Sequence, residues 1–230
     1  MPLTPAELEI LGLSFKVALA SALASLPLAL GLAFVLARFE FPGKMLLDGL
    51  VHLPLVLPPV VIGYLLLVAL GRNAPLGAFL ADHLGVVFAF RWTGAALASA
   101  LMGLPLAVRA MRQAVESVDQ RLEAAAATLG APPLAVFASV TLPLVMPGVL
   151  NGMLLAFARS LGEFGATITF VSNIPGETQT LPLAIYSLTQ VPGGDAPAMR
   201  LCVLAILLSL AALMVSELLL RRARRRAQGA

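Results

Sequence analysis

The chain has 230 residues, of which 60% are hydrophobic and only 12% charged, with a formal net charge of +3 and a mean hydropathy of +0.96. A soluble domain of this length would carry about twice that share of charge, which excludes an ordinary water-soluble globule. One cysteine and two histidines exclude a disulfide framework and leave too little material for a Cys/His metal cluster; so small a charge is no nucleic-acid footprint either.

In chain order, Met1 to Ile10 holds Glu7 and Glu9 and no basic residue. A secretory signal opens with positive charge, so an uncleaved N-terminus is expected. About 20 mostly apolar residues cross the hydrocarbon core as a helix. Five segments meet that requirement: 10–37, 49–70, 92–111, 147–171 and 201–220. The first carries small residues at Ala18, Ser21, Ala22 and Ser25, which let helices approach closely, within the chain or between two copies. The second holds Pro54, Pro58 and Pro59, each of which removes a backbone hydrogen bond. A kinked helix lining a wet path and a merely bent packing helix both fit. Residues 178–194 are also uncharged, but Pro182, Pro192 and a double glycine break them and 181–191 is too short to cross, so the segment reads as a short outer helix or a re-entrant piece. A sixth span there is the competing topology.

Basic residues orient the chain, because they concentrate on the cytoplasmic side of membrane proteins. Five spans with the C-terminus inside place Arg38, Lys44, Arg109, Arg112, Arg121 and the five arginines of 221–226 within, against Arg72, Arg91 and Arg200 without. The N-terminus then lies outside. Residues 10–222 form one transmembrane unit, and 223–230 a basic cytoplasmic tail. Lys16, Glu217, His52, Trp92 and Tyr64 read as snorkelling or interfacial residues, and Cys202 as a small hydrophobe.

The inner loop, residues 112–143, has the most specific pattern. Glu123-Ala124-Ala125 opens an alanine-rich helix over 122–129, built from strong helix formers. Gly130 ends it through a left-handed cap. Pro132 and Pro133 suit the start of a second helix, carried by Leu134, Val136 and Phe137, and Leu142-Pro143 is expected to stop that helix before the next span. The result is a compact knob. An ordinary hairpin between spans is the alternative for E-A-A alone; the glycine and the Leu-Pro at fixed offsets favour the knob.

That spacing resembles the loop of permease subunits of ABC importers, and other segments resemble the molybdate branch. They are Phe41-Pro-Gly-Lys44, the run from His52 to Tyr64, Arg159-Ser-Leu-Gly-Glu163-Phe-Gly-Ala-Thr167, and Phe170 to Thr178. The resemblance covers nearly the whole chain and implies an all-α, polytopic inner-membrane permease. It further implies a homodimer paired with two ABC ATPase subunits, and a periplasmic molybdate-binding protein that delivers the oxyanion. ATP and magnesium would be held by the ATPase partner, with no cofactor in this chain; the residue pattern agrees, since no Gly-rich phosphate loop ending in Gly-Lys-Ser/Thr is present. Sulfate and tungstate permeases are near relatives. An ion-gradient transporter is the rival class, but such proteins commonly show duplicated halves, and no internal repeat is found here.

Arg159 and Glu163 are the one pair of opposite charges inside a predicted span, and four residues apart they share a helix face. From Pro147 the helical rise puts Arg159 about 18 Å along the span. Ionisable residues at such depth face a cavity or a partner. Two readings stay open: a face lining the path near its outer gate, with Gly162 and Gly165 allowing a bend, or an ion pair that only holds the helix. A simple anion site fits poorly, because Glu163 repels an oxyanion.

The topology is directly measurable. Cysteines placed at Thr4 and at Gln228, with Cys202 replaced, should react with an impermeant thiol reagent from outside and inside respectively. Labelling of both from one side would remove the five-span path.

Overall fold

A computed structural model describes residues 3–228, which contain helices and no strand. The helices are α1 (Pro5–Arg38), α2 (Lys44–Val56), α3 (Pro59–Leu70), α4 (Pro75–Leu84), α5 (Trp92–Glu116), α6 (Gln120–Thr128), α7 (Pro133–Val136), α8 (Leu142–Leu161), α9 (Gly165–Val171), α10 (Leu181–Thr189) and α11 (Asp195–Gln228), with a π-helical turn at Phe137–Thr141. The end of the basic tail, Gly229 and Ala230, lies outside the described residues.

α1 starts on a reciprocal cap. The Glu7 N–H donates to Thr4 Oγ1 at 3.3 Å, and the Thr4 N–H donates to Glu7 Oε2 at 2.7 Å, while Pro5 fills a first-turn position that needs no donor. At 34 residues the helix is about 51 Å long, more than the hydrocarbon thickness. α5 is the central helix, with most of its length buried against α1 and α8.

Small residues make that packing close. Along α8, Gly148, Gly152, Ala156 and Ser160 recur every fourth position and so form one stripe. A Cβ on Gly152 would lie 2.9 Å from the Ala107 carbonyl oxygen of α5, and one on Gly103 would lie 3.2 Å from the Ala156 Cα. Against α1 the stripe ends in a buried hydroxyl pair, Ser21 Oγ to Ser160 Oγ at 2.6 Å. The bundle packs around two main apolar clusters, with a smaller third at Leu181, Ala184 and Leu201. One holds Ala29, Ala33, Leu36, Val108, Met111, Val115, Val145 and Val149. The other holds Val17, Ile62, Ala95, Ala98, Met102, Ala166 and Phe170.

The two ends of the bundle differ in the charges they carry. Arg38, Asp48, Arg112 and Glu123 meet at one end through Arg38–Glu123 at 2.9 Å and Arg112–Asp48 at 3.2 Å. At the other, Arg200 Nε lies 2.7 Å from Glu7 Oε1, and Lys16 Nζ sits 3.7 Å from the centre of the Trp92 ring. The residues assigned to the inner side by charge therefore gather apart from Arg200.

Three expectations are corrected. The second span is not one bent helix: α2 and α3 meet at 110°. Leu57 precedes Pro58 and Pro58 precedes Pro59, so both are pushed out of the α region, and both are extended, with ψ of 142° and 131°. The fourth span does not run unbroken over 147–171. It begins earlier, as a 29-residue stretch over Pro133–Leu161, and stops at Gly162. Leu142-Pro143 does not stop the loop's second helix. Pro143 has no N–H to offer, and the π-turn absorbs the defect by directing the Leu142 N–H to the Phe137 carbonyl. α5 runs beyond the expected end at 111, to Glu116, while α10, at nine residues, is too short to cross, as expected. α4, a surface helix closed by Gly85, lies in a segment for which no helix was expected.

The α5–α8 seam can be probed by volume. Gly152→Val should lower stability by about 1–3 kcal/mol, the usual cost of overpacking. Gly12→Ala, where nothing lies within 4 Å of the added atom, should stay within about 0.5 kcal/mol of the parent. Thermal unfolding in detergent measures both.

Candidate functional site

The inner knob forms as its residues dictate. Asp119 caps α6 by accepting from the Arg121 N–H at 2.9 Å. Gly130 closes it at φ +86°, with the Gly130 N–H on the Ala127 carbonyl and the Ala131 N–H on the Ala126 carbonyl, the paired bonds of a Schellman cap. Pro132 and Pro133 open α7. The helix is Gln120–Thr128 rather than 122–129, and it places Ala124 and Ala125 on the exposed side. Leu129 and Leu134, flanking the elbow, are 89% and 80% exposed. Glu123 is different. Its Oε1 accepts from Arg38 Nη2 at 2.9 Å and from Thr141 Oγ1 at 2.7 Å, so the carboxylate is engaged within the chain. Leu142 and Pro143 form the first turn of α8.

Arg159 and Glu163 do pair, at 2.7 Å from Nη1 to Oε2, but not along one helix. Arg159 occupies the last turn of α8, where a cation suits the helix dipole. Glu163 lies beyond the helix end and is buried, at 2% exposure. Its Oε1 accepts from the Ala166 N–H at 2.9 Å, which caps the start of α9, while Oε2 makes the ion pair and no directed hydrogen bond. One carboxylate thus holds a free helix end and a cation together.

This break faces the other one. Gly63 of α3 packs so closely on α9 that a Cβ there would lie 2.5 Å from the Ala166 carbonyl oxygen, and a Cβ on Gly165 would lie 2.8 Å from Pro59 Cβ. The α2–α3 corner and the α8–α9 gap therefore adjoin. In a membrane, interrupted backbone persists where it is buried in protein or lines a cavity. A cavity of about 530 Å³ opens beside Gly162 and Phe164, lined also by Leu181, Ile185, Tyr186 and Leu208, with no charged side chain in its wall. It suits apolar contact rather than an anion.

On the far side of this region the segment after α9 is tightly ordered. Ser172 has φ +63°, a left-handed conformation uncommon for serine. Thr178, fully buried, accepts from the Ile174 N–H and donates to the Ser172 carbonyl. Asn173 bonds to Ser187 of α10, and Ser14 Oγ of α1 accepts from the Leu181 N–H at 2.7 Å. A cluster that sequence reasoning missed sits at the inner end: Asp48, His52, Arg109, Arg112 and Glu116 line a cavity of about 330 Å³ between α2 and α5. The α2 pair and the α5 group are some 60 positions apart, and the sequence carries no pattern that joins the two.

Comparison with known proteins places this architecture. The family described as the binding-protein-dependent transport system inner membrane component matches residues 25–225. The chain belongs to that family. It is accordingly a multi-pass inner-membrane protein and a transport permease. It is 56% identical to the molybdenum transport system permease protein ModB of Escherichia coli over 99% of both chains. With the protein of that name from Haemophilus influenzae it shares 58% identity over 94% of each. The crystal structure of a bacterial ABC transporter involved in import of the acidic polysaccharide alginate has the same fold, at a TM-score of 0.74 and 16% identity, over 96% of this chain and 80% of that one.

The pair at the broken permease helix is testable by a double-mutant cycle. Removing one partner of a buried ion pair strands the other charge, at a cost of about 3–5 kcal/mol. Arg159→Ala and Glu163→Ala should each lower insertion or transport, and the double change should recover part of either loss. If Arg159 instead held substrate, the double would transport as poorly as Arg159→Ala alone. Purely additive losses would defeat the pairing.

Proposed function

We propose that the chain is the membrane-spanning permease of an ATP-driven importer of molybdate. The observation that carries this reading is the 56% identity to a molybdenum permease along 99% of both chains, which leaves no segment of the chain unaccounted for. Two copies of the chain form the path, since four long apolar helices and one sharply bent pair can hardly enclose a gated channel alone. Two separate ATPase subunits, which hold ATP and magnesium, dock at the inner knobs around Gly130. A binding protein delivers the oxyanion to the opposite face.

The geometry supplies a way for such a path to open. α3 and α9 touch through Gly63 and Gly165 with too little room for a side chain, so they move as a unit. Their joints are the extended residues Leu57 and Pro58 on one side and Gly162 to Phe164 on the other. Arg159 and Glu163 span the second joint and are the gate's fixed point, acting as a pair rather than as a binding site. A buried glutamate near a passing dianion is tolerable because Arg159 neutralises it. Specificity then rests mainly with the binding protein, as a permease must release what it admits.

Reconstituted with its ATPase and binding-protein partners, the complex should hydrolyse ATP faster when molybdate is added. Tungstate, the same size and charge class, should act similarly, and sulfate several-fold less. Stimulation by sulfate alone would reassign the substrate, and no stimulation by any oxyanion would overturn the importer reading.

A further inference from the structure

The knob's glutamate is tied into its own chain by one carboxylate oxygen. Its side chain is 24% exposed, and its Oε1 is already bonded to two groups of the same chain, Arg38 Nη2 and Thr141 Oγ1. Arg38 is itself only 11% exposed, and its Nε is buried without a hydrogen-bond partner. A guanidinium so placed needs a carboxylate, because an unpaired buried charge is costly. The surface that the knob presents outward is Leu129 and Leu134.

The contact has a second half. Phe34, one turn before Arg38 on α1, meets Phe137 edge to face with ring centres 5.6 Å apart. Phe137 and Thr141 are the two ends of the π-turn. The last turns of α1 therefore grip both ends of that turn, through an aromatic contact at one and through Glu123 at the other. The π-turn is the soft joint between knob and span: it is wider than an α-turn, and Pro143 just after it cannot donate a backbone bond. Left free, it would absorb a push from the knob instead of passing it to α8.

From this arrangement we infer that Glu123 is a positioning residue, which clasps the knob to α1 and to the foot of α8. Displacement of the knob then reaches α8, and through it the Arg159–Glu163 joint, because the clasp stiffens the turn between them. The inference rests on the permease reading above. It assigns to Arg38 and Thr141 a part in coupling that neither carries by its place in the sequence.

The test uses the assembled complex with its ATPase and binding-protein partners, after molybdate stimulation of the unmodified complex has been measured. Absence of that stimulation would count against the permease reading itself. Glu123→Ala, Arg38→Met and Thr141→Val should each lower stimulated hydrolysis, about tenfold for the two charged positions, as loss of a hydrogen bond to a charged group implies. The ATPase subunit should co-purify at its usual ratio in all three. The exchanged pair Arg38→Glu with Glu123→Arg should recover at least half of the lost stimulation. Release of the ATPase by Glu123→Ala but not by Arg38→Met would overturn the inference, as would an exchange no better than the worse single change. A second measurement does not depend on the partners or on the exchanged pair folding. Spin labels at Ala127→Cys and Ser139→Cys, with Cys202 replaced, should show a distance distribution that broadens on Glu123→Ala. An unchanged distribution would also overturn it.

Discussion

A backbone inside a bilayer has no water to turn to, and every departure from helix there must be satisfied by the protein itself. Much of the architecture follows from meeting that demand at two places. At Leu57 and Pro58 the chain leaves the helix because two successive prolines allow nothing else. At Gly162 to Phe164 it leaves because Glu163 turns back to take the Ala166 N–H. The breaks are brought together by glycines that let α3 and α9 touch backbone to side chain. Each interruption is thereby walled in by the other's helix. The cost of two broken spans is offset by putting them in one place, which is where a transporter needs freedom of movement.

Around that region the protein is stiff. α5 is held between α1 and α8 by a seam of glycine, alanine and serine, a packing that relies on close approach because lipid supplies no hydrophobic drive between helices. The outer segment from Ser172 to Thr178 is knotted by its own hydrogen bonds and tied through Asn173 to α10, which is in turn bonded to α1. Helix breaks set in such a frame adjoin packing that leaves little room to shift.

Legibility in the sequence tracked the range of the forces involved. Gly130 was readable because a left-handed cap is a property of one residue, and the spans were readable because apolar length is a local sum. The α2–α3 corner was half readable: three prolines announced a bend, but the effect of Pro58 directly before Pro59 on both preceding residues makes it a 110° corner. The gap after Leu161 was hidden, since hydropathy continues smoothly through it and the deciding event is a side chain competing for a backbone donor. The GxxxG spacing at Gly148 and Gly152 is visible in the sequence and marks the α8 face that packs on α5. Nothing local could have joined Glu123 to Arg38, 85 residues away, or gathered Asp48, Arg109 and Arg112 around one cavity.

The hydroxyl pair between Ser21 and Ser160 has a mechanical meaning of its own. It is a polar bond sealed in an apolar seam, so sliding α8 along α1 by a turn would strand both hydroxyls, much as a buried polar residue pins the register of a coiled coil. Tilting costs far less than sliding. The bond sits in the last turn of α8, about 28 Å from Thr141 by helical rise and three residues before Glu163. A lever pivoted there has very unequal arms: a broad swing at the inner foot becomes a fine adjustment, of opposite sense, at the charged joint.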